Sequence, residues 1–357
     1  MEKMTLDQIE KQVSIRIILE DLESIYSIMR TENNSIFCMA IVPYYSLFVQ
    51  SVQEFIGENY LTDSNNKIIK DIRNHLKFYG DSFGKTKNKI LSVDDEQNKY
   101  FSGLINNDSV KREYLYTNLG SYWTSDKHIV GNTQLYADYL GIEDLSNPKL
   151  GEKFRDLASQ LGSFVSNMKL GFQESIYHPK IIRREKNIEI KYFADINSNK
   201  NSFFMKKIPK EINILWMHLL CNMNFIKFIL RSMFSDNKWV FRVEYIVTYY
   251  TYKALIKLHN YNEQNNLNLD LKMDQIIIKK GKELFQSRFR NCMMHYGLVN
   301  RDVLSIKNIK NDFYGILETC YGMSYKTYLY NLRQFSEIII AYLESKFDFA
   351  QIDLEVL

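Results

Sequence analysis

The chain has 357 residues, of which 45% are hydrophobic and 25% are charged, so it can form packed globular domains and is long enough for two of them. Only 14 glycines and 4 prolines are present, which argues against a fold built from many short strands. The net charge of +4 is too modest to indicate a polyanionic partner by itself.

The sequence lacks the usual marks of membrane, secreted and zinc proteins. No stretch reaches about eighteen uncharged apolar residues, and the first residues, MEKMTLDQIEKQ, contain no apolar signal run. The cysteines, at positions 38, 221, 292 and 320, show no CxxC or Cys/His ligand spacing. We therefore expect a cytoplasmic protein that binds no membrane, keeps its thiols reduced and needs no metal or cofactor.

Apolar residues recur at helical spacing through most of the first 80 positions. The pattern predicts three helices, at residues 6–30, 36–60 and 67–79. Pro43 lies inside the second helix and should kink it or delay its beginning. Residues 83–150 contain several glycines and the acidic run Asp94–Glu96, so we expect an irregular insertion with that run in a loop. A fourth helix should follow at 151–172.

The second half begins with a linker, residues 176–208, in which residues 187–192 alternate in polarity like one strand of a short hairpin. Helical periodicity then returns and predicts helices at 209–234, 239–262, 274–296 and 322–346. The fold class we expect is therefore all-α with a short β-like linker.

Two short segments of the first half recur in the second half in the same order. Residues 41–46, IVPYYS, resemble residues 246–251, IVTYYT, and residues 73–80, RNHLKFYG, can be aligned with residues 290–297, RNCMMHYG. Tyrosine and asparagine are common enough here for chance matches, but two matches on equivalent helices favour an internal duplication.

The duplication hypothesis divides the chain into two four-helix units. Residues 1–175 would form the first unit, interrupted by the insertion at 83–150, and residues 209–357 would form the second. The two units would pack together as a pseudo-dimer, with residues 176–208 as the linker between them.

Arg290, Asn291 and His295, near the end of the predicted helix 274–296, are the candidate catalytic residues. Cleaving RNA without a metal requires a base for the 2′-hydroxyl, an acid for the departing 5′-oxygen and a cation for the phosphorane charge. Histidine can serve as base or acid, and arginine can hold the phosphate. On a helix, Asn291 and His295 would be i, i+4 neighbours, so the amide could orient the imidazole. The structural alternative is that these side chains interact with the last carbonyls of the helix.

This segment resembles the Arg-x4-6-His signature of the HEPN superfamily, in which the motif lies near the end of a helix in a four-helix unit. The resemblance implies a metal-independent endoribonuclease, often a toxin or a phage-defence protein, that leaves a 2′,3′-cyclic phosphate and a 5′-hydroxyl. It also implies a dimer with two facing motifs. The implied partners are RNA, a second copy of the chain and an antitoxin or defence-system protein.

The first copy of the motif is degenerate, because Phe78 stands where His295 stands in the second. It keeps Arg73 and Asn74, and Arg73 would lend its charge to the site of His295. An ordinary surface or capping role for Arg73 is the alternative.

Two further residues are candidates for supporting the site or binding RNA. Tyr296 follows the motif histidine, and Glu244 could pair with Arg290 from a neighbouring helix. A solvated glutamate is the alternative for Glu244. His218, isolated in an apolar helix, is interpreted as a packed residue.

A second hypothesis, from a different class, is a non-catalytic helical module. It would bind RNA, a nucleotide or a protein partner in the groove between the two units. The nuclease hypothesis predicts that His295 and Arg290 share a solvent-open cleft near Arg73. Burial of His295 in the core would exclude it.

Overall fold

The computed structural model describes residues 6–31, 34–78, 80, 82–104, 117–142, 144–171, 188–199, 202–267, 269, 271–296 and 312–357. Within these ranges the protein is mostly helical, as predicted, and it also contains a small four-stranded sheet. The helices share one apolar core, to which both halves of the chain contribute.

The first three helices lie close to where the apolar periodicity predicts them. They are α1 (Leu6–Met29), α2 (Asn34–Ile56) and α3 (Asp63–Phe78). Helix α2 continues through Pro43, so the proline does not delay its beginning. Most of α2 is buried, and this packing supports a helix that proline would otherwise weaken.

Residues 83–150 are more regular than predicted. The elements in this part of the chain are α4 (Phe83–Leu104), β1 (Leu119–Thr124), β2 (Ile129–Asn132), α5 (Thr133–Leu140) and the beginning of α6 (Leu150–Gly171). The prediction of a loop at Asp94–Glu96 is wrong, since these residues lie in the middle of α4.

The reason is that Asp94 belongs to the core. Its side chain is fully buried, and its carboxylate accepts hydrogen bonds from Asn118 at 2.8 Å and Gln134 at 2.6 Å. The Nζ of Lys210 lies 2.6 Å from the same carboxylate. These partners come from distant positions, so local composition could not reveal that the acidic run is helical.

The sheet joins the insertion to the linker and the C-terminus. Strand β3 (Ile190–Ile196) confirms the strand expected near residues 187–192. It pairs antiparallel with β1 on one side and β4 (Glu355–Val356) on the other, both distant in sequence, and not with a neighbouring segment as a short hairpin would. The strand order is β2-β1-β3-β4.

The second half is mostly helical in its described part. Its helices are α7 (Lys210–Asn224), which continues through a π-helical segment (Phe225–Leu230) to Met233, α8 (Lys238–Asn265), α9 (Lys272–Leu284), α10 (Ser287–Met294), α11 (Asp312–Tyr321) and α12 (Tyr325–Glu344). Helices α7 and α8 confirm the helices predicted at 209–234 and 239–262.

The predicted helix 274–296 is divided in two, because Phe285 leaves the helical conformation with φ −116° and ψ 108°. Tyrosine hydroxyls complete the hydrogen bonds at this break. Tyr328 donates to the carbonyl of Leu284 at 2.7 Å, and the backbone N–H of Gln286 donates to Tyr321 at 3.1 Å. The break is therefore stabilised from α11 and α12, which local periodicity does not describe.

Two helical segments, Ser35–Ile56 and Lys210–Met233, are long and apolar enough to cross a membrane by length and composition alone. Within the protein, 72% and 83% of these segments are buried. Such burial is what the central helices of a folded core show.

Candidate functional site

His295 is the first residue beyond α10. The helix ends at Met294, and His295 has an extended backbone with φ −148° and ψ 159°. The predicted helical i, i+4 relation between Asn291 and His295 is therefore wrong. The side chain of His295 is 31% exposed, so it is not buried in the core.

The carboxylate of Glu54 lies between His295 and Arg73. Its Oε2 is 3.6 Å from Nδ1 of His295, and its Oε1 is 3.5 Å from Nη1 of Arg73. Gln50, one turn earlier on α2, donates to the same Oε1 at 2.9 Å. One carboxylate thus contacts an imidazole and a guanidinium from opposite halves of the chain.

Glu54 is the residue that the sequence did not reveal. It is a half-exposed glutamate on an apolar helix, and nothing in its neighbours distinguishes it from a solvated side chain. Only the packing of α2 against α3 and the end of α10 brings it to Arg73 and His295.

Helix α3 holds Arg73 rigidly. Ile72 and Leu76, on the core side of the helix, are buried, and the side chain of Arg73 is only 9% exposed. Asn74 is exposed. Nε of Arg73 is buried and has no hydrogen-bond partner within the part of the chain that the structure describes.

A polar cleft of about 310 Å³ opens beside Glu54. Its walls combine carboxylates with amide side chains, among them Gln50, Gln53, Asn59 and Asn66. Gly57 ends α2 at this cleft with φ +81°, a conformation that residues with a Cβ rarely adopt. The cleft gives solvent and small polar groups access to the carboxylate of Glu54.

Hydrogen bonds fix the backbone on both sides of His295. Ser51 donates to the carbonyl of Met294 at 3.2 Å, and Ser14 donates to the carbonyl of Tyr296 at 2.7 Å. The position of the imidazole is thus set from α1 and α2.

Tyr296 is buried, with only 2% of the residue exposed. Of the two roles that the sequence suggests for it, binding RNA or supporting the site, this burial favours support. Its hydroxyl donates to Oδ2 of Asp21, and the guanidinium of Arg242 lies 4.5 Å from the centre of its ring. Arg242 also lies 3.4 Å from the same oxygen of Asp21.

The buried carboxylate of Asp21 makes stability depend on pH. Burial raises the pKa of Asp21 from 3.8 to about 6, although Arg242 and Tyr296 partly oppose the shift. Between these values Asp21 in the folded protein holds a proton that it has lost in the unfolded chain, so the contribution of Asp21 to stability should fall as pH rises from 4 to 6 and then level off. The slope from this group is at most about 1.4 kcal/mol per pH unit, and Asp21→Asn should remove it.

Urea unfolding of the wild type and Asp21→Asn across this pH range tests the prediction. His218 provides a control of opposite sign, because burial lowers its pKa from 6.5 to about 4. Its contribution to stability should be lost as pH falls below 6.5, and His218→Gln should remove that loss. Parallel stability curves for the wild type and Asp21→Asn would contradict the assignment.

Arg290 extends from α10 towards α8 and also contacts its neighbour Asn291. Nη1 of Arg290 donates to Oδ1 of Asn291 at 2.7 Å, and the guanidinium lies 6.0 Å from the centre of the Tyr249 ring. Arg73, and not Arg290, is the arginine that shares a carboxylate with His295. Neither Arg290 nor His295 lines the cleft beside Glu54, so the predicted cleft shared by these two residues is not found there.

Glu244 does not pair with Arg290, contrary to prediction. Its side chain is fully buried, and its Oε1 lies 2.6 Å from Nη2 of Arg231 and 3.5 Å from Nε of Arg333. It therefore belongs to an ion cluster between α7, α8 and α12 and not to the site of His295.

Part of the predicted duplication lies outside the described residues. This applies to Tyr79 and Gly297, and to the side chain of Phe78, which stands in the histidine position of the first copy. Among the residues that the structure describes, no group of three or more His, Cys, Asp or Glu side chains could hold a metal ion.

Comparisons of the chain with protein-family models, with curated proteins and with solved structures give no match.

Proposed function

We propose that the protein is a metal-independent endoribonuclease whose active site consists of Glu54, Arg73 and His295. The observation that supports it is the single carboxylate in contact with an imidazole and a guanidinium beside an open cleft. This set contains one group for each requirement of RNA cleavage, namely a base, an acid and a cation.

In the proposed reaction, ionised Glu54 removes the proton of the 2′-hydroxyl, and the 2′-oxygen forms a bond to phosphorus. The bond from phosphorus to the 5′-oxygen breaks, and protonated His295 donates its proton to that oxygen. Arg73 stabilises the negative charge of the phosphorane. The products are a 2′,3′-cyclic phosphate and a 5′-hydroxyl.

Each turnover leaves a protonated Glu54 and a neutral His295. The separation of 3.6 Å between Oε2 and Nδ1 allows the proton to return from the carboxyl group to the imidazole, directly or through one water molecule. The short distance between the two groups therefore suits a catalytic cycle in which the proton returns from Glu54 to His295 after each turnover.

The proposal gives the degenerate first copy a role. If residues 1–175 and 209–357 are two HEPN-like units, the first supplies Glu54 and Arg73, and the second supplies His295. Arg290 and Asn291 then lie beside the reacting groups and not among them. A cytoplasmic toxin or phage-defence protein, acting alone or as a homodimer with an antitoxin or defence partner, would be consistent with the HEPN resemblance.

Incubation of the purified protein with total RNA in EDTA tests this function. His295→Ala should lower the cleavage rate by about 100-fold or more, because one general acid contributes that much. His259→Ala is the matched control, since His259 pairs with Glu263 on α8, and it should cleave like the wild type.

The product ends should carry 2′,3′-cyclic phosphates. Equal cleavage by wild type and His295→Ala would overturn the proposal. RNA binding without cleavage by any form would favour the alternative, a non-catalytic module.

A further inference from the structure

A stripe of aromatic and basic side chains runs along α8 next to Arg290. Tyr249, Lys253 and Lys257 follow one another at four-residue intervals, so they lie on one face of the helix. Arg290 reaches this face from α10, with its guanidinium 6.0 Å from the ring centre of Tyr249. We call Tyr249, Lys253, Lys257 and Arg290 the basic stripe.

Within the described part of the chain, neither lysine of the basic stripe nor Arg290 forms an ion pair with a carboxylate. Partial burial lowers the pKa of Lys253, and the neighbouring charges of Lys257 and Arg290 lower it further. Three mutually repelling cations on one face create a positive potential that an anion would relieve.

Tyr249 presents a firmly held ring beside these cations. It is parallel to Tyr245 with ring centres 6.4 Å apart, and it packs edge to face against Phe285 at 5.4 Å. Its side chain is only partly buried. A supported aromatic ring between positive charges is the combination that proteins use to bind single-stranded nucleic acids.

The basic stripe is also close to the proposed active site. Arg290 and Met294 are one helical turn apart, and His295 is the next residue, so the Cα atoms of Arg290 and His295 lie within about 10 Å. One strand can therefore contact both.

We propose that the basic stripe binds the phosphates of single-stranded RNA beside the scissile bond, with Tyr249 as a stacking surface for a base. This inference rests on the proposed function, because it makes the stripe the strand-binding part of the same site. Lysine contacts phosphate as a point charge, so the binding should depend strongly on salt and little on sequence.

Binding can be measured without cleavage in the His295→Ala background, by fluorescence anisotropy of a labelled single-stranded RNA oligonucleotide. Adding Lys253→Gln and Lys257→Gln should weaken binding about tenfold or more. It should also reduce the slope of log K against log salt by about 1.4, which is about 0.7 for each lost phosphate contact.

Two further pairs control for charge and folding. Lys206→Gln/Lys207→Gln removes two exposed lysines from the segment before α7, with the same change in net charge, and should leave the affinity within twofold. Lys253→Arg/Lys257→Arg keeps both charges on the stripe and should bind as the parent does.

Equal weakening by both glutamine pairs, or unchanged binding by the stripe pair, would overturn the inference. Equal competition by double-stranded DNA would also overturn it, since a base must be unpaired to stack on Tyr249. The proposed function stands if His295→Ala abolishes cleavage while the stripe pair binds normally. If the stripe pair loses RNA binding and no form of the protein cleaves RNA, the basic stripe binds RNA but the proposed function fails.

Discussion

Glu54→Gln is expected to reduce RNA cleavage by about 100-fold or more, because the amide cannot take the proton of the 2′-hydroxyl. Glu54 is 47% exposed but its partner Arg73 is only 9% exposed, so the variant leaves a nearly buried guanidinium without this counter-charge and should be somewhat less stable. Loss of activity in a variant that remains folded under the assay conditions, as shown by denaturant unfolding, would therefore identify a chemical role.

The pH profile separates catalysis from mere positioning of His295. With Glu54 as base and His295 as acid, kcat/KM should fall at both low and high pH. Glu54→Gln should remove the fall at low pH, whereas His295→Ala should remove the fall at high pH. If His295 only positioned other groups, His295→Ala would lower the rate without removing the fall at high pH.

Glu58→Gln is the matched control for Glu54→Gln. Glu58 also borders the cleft, one turn further along the chain, and accepts a hydrogen bond from the hydroxyl of Tyr60 at 2.8 Å. It contacts neither Arg73 nor His295 in the geometry described above, so its variant should cleave RNA like the wild type. Similar losses of cleavage activity in both variants would show that cleavage depends on the negative charge of the cleft and not on the position of Glu54.

Arg231→Leu is expected to lower the free energy of unfolding by about 3 kcal/mol, because it leaves the fully buried Glu244 without its closest cation. Arg231 lies 2.6 Å from Oε1 of Glu244. Oε2 of Glu244 has no hydrogen-bond partner among the described residues, so little else compensates for its burial.

The double variant Arg231→Leu/Glu244→Leu tests this reasoning, since it removes the buried charge together with its partner and should recover most of the loss. Arg333→Leu is the milder comparison. Arg333 is 43% exposed and 3.5 Å from Glu244, and its loss should cost about 1 kcal/mol or less. Denaturant unfolding measures all three. A double variant as unstable as Arg231→Leu would contradict the assignment.

Helix positions were largely predictable because apolar periodicity is a local property of the chain. Helices α1, α3 and α6 begin and end within a few residues of their predicted bounds. The prediction failed at α4 and at Phe285, where the backbone conformation depends on partners from other segments. Lys210 and Asn118 contact the buried carboxylate of Asp94 in the middle of α4. Tyr321 and Tyr328 stabilise the break after α9.

The sequence by itself determined a mostly helical protein and singled out His295 and Arg73, because the helix pattern and the repeated Arg-Asn motif are visible along the chain. Only the tertiary structure decided that Glu54 joins these two side chains. It also decided that Arg290 faces Tyr249 and that Glu244 pairs with Arg231. The reason is physical: contacts between helices distant in sequence depend on how whole apolar faces pack, and a single charged residue carries no local sign of its partner.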